Sequence, residues 1–180
     1  MKMPKAMALL IAVACSSLSL HAQSSATYIV SQRALLFADS LINAFKHSRW
    51  EEYVAISYPG AVQYYGGKQG FREYVQRTRL LNNDLEENPE KIQLMQITND
   101  DSQEWQCVIK KTRETFVDGK KAVVLSYMIG QSKDKGQNWT YFDVSYNSVE
   151  NIAYIMPDVF AGLTVPDRQV IYETNFVRTP

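Results

Sequence analysis

The chain is predicted to be an α+β domain, with its helices first and an antiparallel sheet after them, on three observations. Apolar residues recur at three- and four-residue steps through the first half, and beyond residue 90 the period falls to two. Asp118-Gly119, a dipeptide suited to positive φ, joins two long alternating runs as a hairpin. Segregated helical and extended periods belong to α+β architecture rather than to alternating βα units.

Residues 1–22 read as an export signal: Lys2 and Lys5 precede a short apolar core at 6–14, and small residues lie near a cleavage point before Gln23. That core is too short to span a bilayer. Lipid anchoring through Cys15 is the alternative, although Ala12 is a small residue where a lipidation motif wants a larger aliphatic one. Removal of the signal leaves 158 residues, one domain able to bury about 70% of its unfolded surface. The remaining 17 basic and 19 acidic residues give no electrostatic reason to expect nucleic acid.

The helical period of about Tyr28 to Lys46 carries Ala34, Phe37, Ala38, Leu41 and Phe45. Ser48 with Glu51 reads as a capping box opening a second, short helix with Trp50, Tyr53 and Val54, which Pro59-Gly60 ends. Ala61 to Tyr65 is expected to be extended or irregular. A third helix is predicted from about Gln69 to Asn82, with Phe71, Tyr74 and Val75 on one face.

Strands are then expected at Lys91–Ile97, Glu104–Val117, Lys120–Ile129 and Trp139–Val144. The third is apolar on both faces. Ala122, Val124, Ser126 and Met128 point one way, and Val123, Leu125, Tyr127 and Ile129 the other, as in a central strand covered on both sides. A tail from about residue 145 holds a helical turn capped by Ser148 and a possible short strand at 170–172. The sequence contains no internal repeat, low-complexity segment or second domain; residues 23–180 form one unit.

Three helices before a four-strand meander, with the Ser48-to-Tyr53 helix and the Tyr58-Pro59 to Gly66-Gly67 segment, resemble the nuclear-transport-factor-2-like superfamily. This is the cystatin-like cone used by ketosteroid isomerase, scytalone dehydratase and many polyketide cyclases. Residues 134–143 and the tail from Ile155-Met156-Pro157 to Pro166 resemble small, mostly uncharacterised exported proteins of Bacteroidetes-type bacteria. The resemblance covers roughly residues 28–166. It implies three N-terminal helices packed in the concave face of a strongly bent four- to six-stranded sheet, with homodimerisation through that sheet. It says little of function, because one fold hosts many chemistries.

Several chemistries lack their residues. Past the signal, Cys107 is the lone cysteine and His47 the lone histidine, so neither a disulfide nor a Cys/His zinc site can be assembled, and no cofactor is implied. His47, beside Lys46 and Ser48, reads as solvated. Asp143 follows Trp139 and Tyr141 on one strand face. Lining a cavity, it would be a candidate acid or base whose pKa desolvation raises; otherwise it ends its strand on a backbone N–H. Tyr64 and Tyr65, before Gly66-Gly67, are candidate ligand contacts together with Tyr127, Trp139 and Tyr141; the alternative for them is core packing. Lys110, Lys111, Arg113, Lys120 and Lys121 cluster around the Asp118-Gly119 turn among acids, and a solvated hairpin is preferred to an anion site. Binding of a small apolar ligand or a protein partner is therefore the preferred function. An isomerase, dehydratase or cyclase using Asp143 and a cavity tyrosine is the alternative.

Overall fold

A computed structural model describes residues 5–80, 89–100, 102, 104–144, 149–159 and 161–173, with side chains described outside 5–25 and 149–150. These residues form an α+β domain of five helices and a five-stranded antiparallel sheet. Four helices precede the sheet: α1 (Lys5–Lys46), α2 (Trp50–Ile56), α3 (Pro59–Tyr64) and α4 (Gly67–Leu80). Strands β1 (Lys91–Asn99), β2 (Trp105–Val117), β3 (Lys120–Ser132) and β4 (Thr140–Asp143) run in spatial order. The chain then forms α5 (Val149–Ile155) and β5 (Gln169–Tyr172).

Two local expectations are corrected. Ser48 does not cap α2: its φ is 56°, Arg49 N–H bonds the Ala44 carbonyl at 2.8 Å, and Ser48 N–H bonds Phe45 at 3.2 Å. That pair is a Schellman closure, so Ser48 ends α1, while α2 starts after Arg49 with no side-chain cap. Pro59 opens a helix rather than ending one. It sits at the start of α3, where its fixed φ suits the first turn and its missing N–H has no partner to lose, so 61–64 is helical. The turns at Gly66 and Gly67 (φ 92° and 78°) then separate α3 from α4.

The sheet is built on the β2–β3 hairpin, whose register runs unbroken from Trp105↔Ser132 to Val117↔Lys120. Asp118 and Gly119 both take positive φ, as a two-residue hairpin turn of type I′ requires. On its other side β3 is shared: β4 pairs with residues 128–131 and β5 with 122–125. The cap expected at Ser148 and the connection at 81–88 lie outside the described residues.

Both faces of β3 are covered at its C-terminal half. Met128 joins Val30, Ala34, Ala38 and Leu41 of α1 with Cys107, Ile109, Trp139 and Tyr141 in one cluster. Behind it, Tyr127 and Ile129 pack with Tyr58, Ala61, Phe142, Ile155 and Met156. Close approach of α1 to the sheet depends on small residues. A Cβ at Gly130 would collide with the Tyr141 ring and stand 2.7 Å from Cys107 Sγ, while one at Gly136 would stand 2.5 Å from Val30 Cγ1. Gly130 leaves room for Tyr141 to cross the core and donate its hydroxyl to the Ala34 carbonyl.

Candidate functional site

The site begins with side chains that two short helices and one long one must bury. On α4, Phe71, Tyr74, Val75 and Thr78 share a face by helical spacing. Phe71 and Val75 are buried against Val54 of α2, with Phe45, Tyr53, Tyr65 and Tyr74 packed around them. The rings form a connected wall: Tyr65 stacks on Tyr74 at 4.0 Å, Tyr53 on Phe71 at 6.0 Å, and Phe45 tilts against Tyr53 at 5.5 Å. Opposite stand Lys111 and Arg113 of β2, Val124, Ser126 and Met128 of β3, and Tyr141 and Asp143 of β4. A cavity of about 90 Å³ lies between the two walls.

Lys111 sits at its base, and only 7% of the residue is exposed. Its ammonium donates to Asp143 Oδ2 and lies 3.6 Å from Glu90 Oε1. The side chains of Asp143 and Glu90 are 29% and 15% exposed. Burial works against the Lys111 charge, but Asp143 and then Glu90 outweigh it and hold the ammonium well above the ordinary lysine range. Burial, reinforced by Asp143, likewise drives the Tyr53 phenol far above its usual range, with Lys111 pulling the other way. Lys111 and Tyr53 therefore stay an ammonium and a neutral phenol throughout the physiological range.

Three other hydroxyls of the lining donate to helix carbonyls. Ser57 donates to Tyr53 O at 2.7 Å, and Thr78 to Tyr74 O at 3.1 Å. Tyr141 gives its hydroxyl to Ala34, and burial raises its pKa well above normal. Next to it, burial pushes the Cys107 thiol up to about 12. Among the described residues no three His, Cys, Asp or Glu side chains converge to hold a metal ion, and no helix is long and apolar enough to cross a membrane.

The structure divides the sequence-derived candidates. Tyr65, Tyr141 and Asp143 line the cavity. Tyr64 points outward, 45% exposed, and touches Tyr65 at 5.0 Å and the exposed Tyr154 at 5.9 Å. Tyr127 lies on the opposite sheet face, and Trp139 is buried under α1 with its ring N–H on the Gly136 carbonyl at 3.2 Å. His47 is exposed and Cys107 buried. The solvated hairpin is corrected at two positions: Lys110, Lys120 and Lys121 are not buried, but Lys111 and Arg113 are cavity residues. Lys111, Tyr53 and Glu90 were not singled out as site residues from the sequence. The signal for Lys111 was its place two residues beyond Ile109 on the face that Trp105 and Cys107 begin.

Alkaline titration reports these buried groups directly. Tyr53, Tyr141, Cys107 and Lys111 all hold protons in the fold that the unfolded chain gives up between about pH 8.5 and 10.4. Each folded pKa is raised, so the stabilisation is complete at neutral pH and is lost as pH rises, at about 1.4 kcal/mol per pH unit for each group. Urea unfolding should therefore show a drop on the order of 6 kcal/mol between about pH 9 and 11. Tyr53→Phe should make that drop smaller, whereas a flat profile for the unsubstituted chain would contradict the burial.

The fold and site together define an α+β domain with an aromatic-walled cavity between its helices and its sheet. No family model matches the chain, and comparison with curated proteins and with solved structures likewise finds no match.

Proposed function

We propose that this chain is an exported binding domain that takes a small ligand of largely apolar body into the cavity between α4 and the sheet. The observation that carries the reading is the connected ring wall facing Lys111 with its two carboxylates, Asp143 and Glu90. Apolar walls with a few convergent polar groups are the usual make-up of small-molecule sites. A nuclear-transport-factor-2-like cone is part of the same proposal. Its support is helix residues and sheet residues facing each other across one cavity. Export through the stretch before Gln23 belongs to it as well, on the sequence pattern alone.

The presence of Asp143 and Tyr53 in one cavity favours the isomerase, dehydratase or cyclase alternative. Against it, Lys111 clamps the carboxylate and burial holds the Tyr53 phenol protonated far above neutral pH, whereas acid–base work wants a pKa near the working pH. Binding is the reading better supported.

Native mass spectrometry of the protein purified from its own host tests the proposal. The expected result is an added small-molecule mass that denaturation releases and that Ser126→Leu, which fills the cavity, removes. A bare chain mass, with no cavity resonance shifted by added host extract, would end the binding reading.

A further inference from the structure

Resting on that binding reading, we propose that the cavity selects an uncharged single-ring compound whose one polar group both accepts and donates a hydrogen bond, such as a phenol or an aromatic primary amide, seated on Lys111 and Asp143. Size comes first. An engineered cavity of about 150 Å³ encloses one benzene ring, so about 90 Å³ takes at most one ring, part of which stands in the open mouth. The stacked Tyr65–Tyr74 pair and the Tyr53–Phe71 pair offer that ring faces and edges to pack on.

The base of the cavity sets the charge. Lys111 and Arg113 are matched by Asp143 and Glu90, so the lining carries as many positive as negative side chains. An ionic ligand would bring an uncompensated charge into a poorly solvated space, which costs more than one new contact returns. A purely apolar ligand fails for the opposite reason, because it would cover the Lys111 ammonium without replacing its lost water.

Hydrogen-bonding capacity sets the rest. An ammonium has three N–H donors, and among the described residues two carboxylates meet the one on Lys111, which leaves a donor for a ligand oxygen. The Asp143 carboxylate, beside it, has about four lone-pair sites on its two oxygens and can accept from a ligand O–H or N–H alongside its protein partners. Ser57 and Thr78 donate to helix carbonyls, whereas Lys111 and Asp143 offer the charge-assisted bonds, the stronger kind. A group that donates and accepts through neighbouring atoms satisfies both partners without parting them.

The test is ligand-observed saturation-transfer NMR, with thermal shift, on the full chain against phenol, benzamide, benzoate, benzylammonium and toluene. Phenol and benzamide should bind at least about tenfold more tightly than the other three. Ser126→Leu should abolish that binding, and Phe116→Ser, at an exposed position outside the cavity, should retain it. Tighter binding of benzoate, benzylammonium or toluene overturns the inference and leaves the binding reading standing. Failure of all five with a native ligand mass still present also overturns it alone, whereas failure of all five on a bare chain removes both.

Discussion

Replacing Lys111 by Met should destabilise the domain by about 3 kcal/mol at neutral pH, measured by urea unfolding. Met keeps the length of the aliphatic stem, so the change removes the charge and little volume. What remains is Asp143 facing Glu90 in a largely buried site, without the ammonium that each now meets. Breaking one partner out of a buried pair is costly because the survivor is left charged and poorly hydrated. The figure sits at the low end of that range because the Asp143 side chain is 29% exposed and keeps some water. Lys111→Met combined with Asp143→Leu should be more stable than Lys111→Met alone, with a coupling of about 1–3 kcal/mol in the double-mutant cycle. Additive effects would mean that the two groups do not depend on each other.

Trp139→Ala should cost about 3–5 kcal/mol, enough to unfold much of a marginally stable domain on warming. The ring is 1% exposed, lies 6.4 Å from Tyr141 at an interplanar angle of 20°, and shares its cluster with Val30 and Ala34. Its removal leaves a void between α1 and the sheet and strips the Gly136 carbonyl of a donor. Because the ring does not line the cavity, ligand affinity measured in the cold on the folded fraction should hold. A loss below about 1 kcal/mol accompanied by lost binding would instead make Trp139 a ligand contact.

Much of the fold was legible because its signals are local. The α1 stripe, the Asp118-Gly119 turn and the alternation through β2 and β3 each depend on residues close in the chain. Ser48 and Pro59 misled for a related reason. Serine can close a helix as well as open one, and a proline after one helix can be the first residue of the next; only the hydrogen bonds decide. The cavity was hardly legible at all. Lys111 sits among lysines and arginines that suggest solvent, and its partner Asp143 is 32 residues away on a strand that reaches it only through β3. The Asp143 carboxylate reads in sequence as an acid beside aromatics, but nothing near it in the chain foretells the cation that holds it.

The hydroxyl bond from Tyr141 to Ala34 has a mechanical side. It fastens one turn of α1 to the sheet, close to where Val30 meets Gly136, while Phe45 of the cavity wall stands eleven residues further along. At about 1.5 Å per residue that distance is about 16 Å, so the bond and the cavity wall lie on one continuous stretch of helix. The bond depends on Gly130, whose missing side chain leaves room for the Tyr141 ring. One hydrogen atom near the end of β3 thus lets the sheet hold the helix that carries Leu41 and Phe45 to the cavity.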